Sequence, residues 1–328
     1  MKVGLVGYKN HAFRLLQVLT RQPKINRIFV YHPDAEKIAS VTQKLSQIDA
    51  RITCTSDIRN IEACQATIIA SPPETHLFYI ELLAPTKQYL LCEKPPISSK
   101  LDLPKLLNII DSMNGKLAFH FNQRFGSFFL ELNARIEDKS LGRLVSLRFE
   151  NSHGLAFEDK FQGWRNSNDN LGIWGNLAIH YVDMSCAVGG APRAVSSRGY
   201  RHSAKSKKYD TLFANLQFAD FEASIFCSYA APCISQMRAV FEDGILDFTN
   251  GHLTIASPRR SFDKDGRFVP PQTRTISRVE SMAQYLNECF EKSVASFIGD
   301  SSSEKVFSNT QSSIISTRVI FESPPIEQ

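Results

Sequence analysis

No apolar run in this 328-residue chain approaches the roughly 18–20 residues that a membrane-spanning helix requires, so no membrane partner is expected. The opening MKVGLVGYKNHAF lacks the long apolar stretch and small-residue cleavage site of a secretory leader, which argues against one. No CxxC occurs among the seven cysteines (54, 64, 92, 186, 227, 233 and 289). An odd, scattered set of this kind fits buried thiols in a reducing cytoplasm. No metal is expected. A large excess of one charge is missing too: the net charge is +5. The densest basic stretch, Arg201 to Lys208, interleaves serines and carries no aromatic stacking pattern, which reads as a solvated loop and not a nucleic-acid surface. No repeat of fixed period occurs, which excludes solenoids and propellers. With 43% hydrophobic and 22% charged residues, what remains is an ordinary globular chain long enough for two domains.

The first third alternates between two periods. Short apolar runs at 2–6, 27–31, 52–55, 66–70, 89–92 and 116–121 read as strands. Between them Ala12, Leu15, Leu16 and Leu19, then Ile38, Val41 and Leu45, then Leu77, Ile80, Leu83 and Ala84, and then Leu103, Leu106, Leu107 and Ile110 recur at helical spacing. Strands apolar on both faces, alternating with helices, predict a parallel sheet covered on both sides. After about residue 119 the pattern changes. Runs at 145–150, 211–218, 222–229, 237–242, 244–248 and 253–256, joined by Gly, Asp and Asn turns, predict a mostly antiparallel sheet with a helix over 173–186. Residues 258–276 read as a long polar loop, and 279–297 and 304–321 as helices. The expected fold is α/β: an N-terminal Rossmann parallel sheet over 1–120, then an α+β domain over 121–328 built on an open, mostly antiparallel sheet.

A strand running into Gly7-Tyr8-Lys9-Asn10-His11-Ala12 and then a helix is the context of a dinucleotide fingerprint. Gly7 takes the first glycine position and Ala12 the third, but Lys9 stands at the second. Its side chain either crowds the pyrophosphate path or places an ammonium on a phosphate. Read alone, the segment is either a binding turn or an ordinary strand–helix turn. At the end of the second strand, where a ribose-reading acid is expected, stands His32. An imidazole does not repel a 2′-phosphate, which tilts the cofactor toward NADP. The other reading is that His32-Pro33-Asp34 caps the next helix. The fourth and fifth strands end in Ser71-Pro72-Pro73-Glu74-Thr75-His76 and Cys92-Glu93-Lys94-Pro95-Pro96, where ligands of open parallel sheets sit. A cis bond before Pro95 is compatible with this turn. Lys94 reads either as a donor to substrate or as a surface charge. Further on, Asn176, His180 and Asp183 fall at helical spacing, so His180 reads as a general acid/base or as a satisfied core histidine.

Taken together and in this order, the segments resemble the Gfo/Idh/MocA family, the glucose–fructose oxidoreductase and inositol dehydrogenase type. The SPPETH segment is similar to the family's TP…H motif, Glu93-Lys94-Pro95 to its EKP, and Asn122-Gln123-Arg124-Phe125 to its N-x-R-F. Trp164-Arg165 and residues 170–183 are similar to its WR…GGGxLxDxGxHxxD. The resemblance implies an NAD(P)-dependent oxidoreductase that moves a hydride between nicotinamide and a hydroxyl or ketone of a sugar, cyclitol or nucleotide-sugar. It implies Lys94 and His180 as the catalytic pair, His180 moving the proton and Lys94 near the nicotinamide, with Asn176 where the family has an acid. Gly7, Tyr8, Lys9, Asn10, His11, His32, Ser71, Pro72, His76, Glu93 and Lys94 are the implied cofactor contacts. Lys94, Arg124, Trp164, Arg165, Asn176 and His180 are the implied substrate contacts, and a homodimer or homotetramer is the implied assembly. Two other functions compete. Lys9 and Asn176 favour a degenerate relative that binds a nucleotide or sugar as a sensor or assembly partner. The third is an enzyme that uses nicotinamide transiently, for elimination or hydrolysis without net redox.

Overall fold

The computed structural model describes residues 1–158, 161, 166, 171–299 and 310–328. Two compact units emerge: Met1–Phe121 with Phe290–Gln311, and Asn122–Cys289 with Ser312–Gln328.

In the first unit, β1 (Lys2–Val6), β2 (Arg27–Tyr31), β3 (Ile52–Thr55), β4 (Ala66–Ile69), β5 (Tyr89–Cys92) and β6 (Leu117–Phe119) form a parallel sheet of order β3-β2-β1-β4-β5-β6. Helices α1 (Asn10–Thr20), α2 (Ala35–Ser46), α3 (Arg59–Glu62), α4 (His76–Leu83) and α5 (Leu103–Met113) connect the strands. This is the Rossmann arrangement, and the strand order reverses between β1 and β4, the place where such sheets take ligands. Successive residues of β4 are all buried, as expected for a strand covered on both faces. The α1 stripe is buried through Ala12, Leu15, Leu16 and Leu19, each of the three leucines contributing roughly 1.5–3 kcal/mol of burial.

The second unit is built on a nine-stranded sheet. Its strands are β7 (Leu144–Ser152), β8 (Ala194–Tyr200), β9 (Thr211–Gln217), β10 (Glu222–Ser228), β11 (Ile234–Phe241), β12 (Gly244–Thr249), β13 (His252–Ala256), β14 (Thr273–Arg278) and β15 (Ile326–Glu327). The order is β14-β13-β12-β11-β7-β10-β9-β8-β15. Most pairs are antiparallel, while β10–β7 and β15–β8 are parallel. Alternation is strict in β11 and β12: Met237, Ala239, Leu246 and Phe248 are buried, with partly exposed residues between them. The helices are α6 (Ser127–Asp138), α7 (Ile179–Gly189), α8 (Met282–Gly299) and α9 (Thr310–Glu322); α8 and α9 run on between the residues of the two units.

Two expectations change. The polar segment 258–276 is not a plain loop. Phe262 bridges Phe268 across a turn closed by Asp263, and Thr273–Arg278 forms an edge strand on β13. Every residue of that strand is at least partly exposed, so it carries no apolar alternation to read. The helix expected over 173–186 begins as a wide π turn, Trp174–Ala178, before α7. Of the helix expected over 304–321, residues 304–309 lie outside the described residues.

Candidate functional site

At the carboxyl end of β1 the backbone closes on Gly7, whose φ is +108°. A Cβ there would lie 2.7 Å from the Ala70 carbonyl oxygen, so both conformation and space demand glycine. The second fingerprint position does not: Lys9 is extended (φ −97°, ψ 158°), a conformation open to any residue. The second left-handed residue falls instead at Asn10, with φ +45°, a residue type that tolerates it. The turn therefore forms without the missing glycine. No side chain caps the start of α1, and uncapped N–H groups at a helix start are a ready anion site. Lys9 is exposed, its ammonium 5.5 Å from the centre of the Tyr8 ring. Tyr8 in turn meets His32 edge-on at 5.3 Å. His32 Nδ1 accepts the Asp34 N–H at 3.1 Å, while Asp34 caps α2 through the Lys37 N–H. The helix-capping reading of this segment and the exposed edge of His32 thus coexist.

The β4 and β5 exits are tied to each other. His76 is buried, with Nδ1 2.8 Å from the Pro95 carbonyl and Nε2 2.8 Å from that of Ser71. Burial pushes its pKa down. His76 therefore braces two loops from within, and the surface of those loops is given by Ser71, Pro72 and Lys94. Ser71 Oγ accepts from Thr75, Pro72 is exposed, and Lys94 is half-buried ahead of a cis bond to Pro95. Glu93 is buried beside His11 and His120. Burial acts to raise its pKa, but the two imidazoles outweigh it and hold the carboxyl well below its usual range. His120 and its partner Ser293 were not singled out by sequence reasoning. A histidine just after a strand gave the only signal, with no spacing to connect it to Glu93.

In the second unit Asn176 lies in the π turn and His180 in the first turn of α7. Wide turns of this kind concentrate at functional positions. Gly175 permits this one, since a Cβ there would lie 2.4 Å from the Leu171 side chain. Trp174 anchors it from behind, its indole N–H donating to the Ile320 carbonyl at 3.0 Å. Arg124, expected at the substrate, is buried and pairs with Asp183 through Nε (2.5 Å) and Nη2 (2.6 Å), backed by Ser312, Ser313 and Ser316. Burial raises the Asp183 pKa, and the guanidinium limits the rise. Arg124 thus fastens α7 to α9. Trp164 and Arg165 lie outside the described residues, as does Asn170.

Comparison with known proteins agrees with this layout. The pattern described as "Oxidoreductase family, NAD-binding Rossmann fold" matches residues 1–121, and that of the "GFO/IDH/MocA C-terminal domain" matches 129–247. Glucose-6-phosphate 3-dehydrogenase of Bacillus subtilis is 28% identical over 38% of this chain, and the match spans 36% of that relative's length. A scyllo-inositol 2-dehydrogenase (NADP(+)) of the same organism is 21% identical over 71% of this chain and 64% of its own. In structure, a myo-inositol dehydrogenase from Corynebacterium glutamicum superposes with a TM-score of 0.77 at 17% identity, covering 98% of this chain and 96% of that one, which is a likeness of fold. With a Rossmann half and its own type of C-terminal half both matched, the chain belongs to the Gfo/Idh/MocA family of oxidoreductases.

Proposed function

We propose that this protein is an NAD(P)-dependent dehydrogenase or reductase acting on a hydroxyl or ketone of a sugar, cyclitol or nucleotide-sugar, with a preference for NADP. The observation that carries the reading is the start of α1: a glycine-enforced turn and an uncapped helix N-terminus at the sheet's switch point suit a dinucleotide pyrophosphate. Gly7, Asn10 and His11 would hold that group, with Tyr8, Lys9 and His32 at its ribose end. The exposed Lys9 ammonium and the imidazole of His32 favour a 2′-phosphate over a bare 2′-hydroxyl. When bound, the nicotinamide supplies or takes the hydride. Lys94 then donates to a cofactor or substrate oxygen, and His180 moves the proton at the oxygen being transformed. Asn176 orients by hydrogen bonding where the family has a carboxylate. His76 and Glu93 act from below by holding the loops, and Trp164 and Arg165 remain assigned to substrate by their motif.

The same reading places the chain in the cytoplasm, to which an odd, scattered set of seven cysteines is suited, as a homodimer or homotetramer. The aromatic row Tyr200, Phe213 and Phe226 on β8, β9 and β10 supports association through the open sheet, Phe213 being 49% exposed.

Titration with NADPH and NADH, followed by nicotinamide absorbance with a panel of sugars and cyclitols, tests the proposal. NADPH is expected to bind at least as tightly as NADH, and His180→Ala to lower turnover by about 10²–10⁴ while leaving cofactor affinity nearly intact. If neither nucleotide binds, the site is not a dehydrogenase site, and the degenerate-binder reading that Asn176 favours takes its place.

A further inference from the structure

Four side chains at the carboxyl edge of the parallel sheet are wired together in a way the proposed reaction does not itself require. His120, one residue past β6, lies with Nδ1 2.6 Å from Glu93 Oε1 and Nε2 2.7 Å from Ser293 Oγ on α8. The same Glu93 oxygen is 2.7 Å from His11 Nε2. Phe290 packs edge-on to His11 at 4.9 Å and against His120 at 5.5 Å. Hydroxyl, imidazole and carboxylate in this order form the triad of a hydrolase, but Ser293 is 1% exposed and its hydroxyl donates to the Phe290 carbonyl within the helix. No substrate reaches it. The two histidines and the carboxylate are also a set that binds divalent metals, yet a tetrahedral site with bonds of about 2.1 Å needs ligand atoms some 3.4 Å apart. These lie at 2.6–2.7 Å, the length of charge-assisted hydrogen bonds. The cluster is a relay of hydrogen bonds, and its output is Glu93, whose second oxygen accepts the Lys94 N–H at 3.3 Å.

We propose that His120 is a positioning residue for the reaction: with Ser293 fixed behind it, it holds the Glu93 carboxylate, and Glu93 holds the turn of backbone that carries Lys94. This rests on the role given to Lys94 above. Of the two imidazoles on Glu93, that of His11 is 41% exposed and free to exchange with solvent, whereas that of His120 is 1% exposed and engaged at both nitrogens. Only the second can fix a position. The other titratable groups facing Glu93 are His76 on α4 and Cys92 on β5. Neither of them is hydrogen-bonded to its carboxylate: the His76 ring is engaged with the Pro95 and Ser71 carbonyls.

Three variants of the full chain, His120→Phe, His120→Gln and Ser293→Ala, test the idea. His120→Phe is expected to lower kcat about 10–100-fold, the scale of a displaced reacting group, with cofactor affinity within about 3-fold of the parent. The acid limb of its kcat profile should move to higher pH, because burial of Glu93 is then less opposed. His120→Gln, whose amide still donates to Glu93, should recover much of the rate but not the position of that limb. Ser293→Ala, which changes no charge, should give a smaller fall in the same direction. A His120→Phe variant with kcat and acid limb within about 2-fold of the parent would overturn the proposal. So would stoichiometric zinc in the purified protein that is lost on His120→Phe, which would make the cluster a metal site. Carbon-13 NMR of the Glu93 carboxyl in cofactor-free protein separates this proposal from the wider reading of function. Its titration should move upward in His120→Phe and His120→Gln even if no substrate is found, and an unchanged titration refutes the role of His120 by itself.

Discussion

Replacing Arg124 by Ala strands a carboxylate. Asp183 is fully buried, and its two oxygens take two bonds from one guanidinium, at 2.5 and 2.6 Å. Without Arg124, Asp183 keeps hydroxyl donors, Ser316 at 3.0 Å from Oδ1 and Ser313, but no cation. Breaking a buried pair from one side costs about 3–5 kcal/mol. At about 2–4 °C per kcal/mol for a cooperative unit of roughly 150–250 residues, Tm should fall by about 6–20 °C. The deficit should shrink on acidification. The stranded carboxyl binds a proton more tightly folded than unfolded, so the variant's stability rises, relative to the parent's, as the pH drops toward the carboxylate range. The double variant Arg124→Met with Asp183→Leu removes both charges and should recover most of the loss. Thermal and denaturant unfolding of the parent and the three variants (Arg124→Ala, Asp183→Leu and the double) at neutral and acidic pH measure all of this. If Arg124→Ala lies within about 1 kcal/mol of the parent and the double variant is no better, the pair is not the fastening described here.

Three further outcomes follow from the site. Gly7→Ala forces a side chain into the Ala70 carbonyl at a φ of +108°, so calorimetry should find cofactor affinity lost, whereas Lys9→Gly should leave the fold unchanged and test only the ammonium. Asn176→Asp should maintain or raise turnover if the amide is drift from the family's acid, and lower it if the amide faces an anionic or carbonyl group of the substrate; steady-state rates decide. Because Glu93 is held well below its usual range, its share of stability is present above the ordinary carboxylate pKa and lost as pH falls through the lowered one. Acid unfolding of Glu93→Gln should therefore converge with that of the parent only at strongly acidic pH.

The alternating periods of the first 120 residues were enough to read the parallel sheet, since its central strands β1, β4 and β5 are buried on both faces and the longer helices on one stripe. The edge strand at 273–278 was not legible, because a strand exposed on both sides has no apolar period. Motif order led to Lys94, Asn176 and His180. It did not show which motif residues are engaged inside the fold: His76, Glu93 and Arg124 belong to the same motifs, and their polar atoms are taken up by Pro95, His120 and Asp183. Those partners are supplied by distant elements, and no local pattern announces them. Lys9 looked like an obstacle because a side chain at the second glycine position crowds the pyrophosphate path. The turn itself does not need that glycine: Lys9 is extended, and the left-handed residue is Asn10.

The unit that begins at Met1 is completed only by Phe290–Gln311. On a ribosome adding about 5–20 residues per second, His120 would wait roughly ten to thirty seconds for Ser293 and Phe290 to be synthesised. During that interval the His120 imidazole has neither the Ser293 hydroxyl nor the Phe290 ring to fix it against Glu93. A fragment ending near residue 121 would keep this unfinished state permanently. An expression design that keeps the whole first unit therefore carries the chain through Gln311.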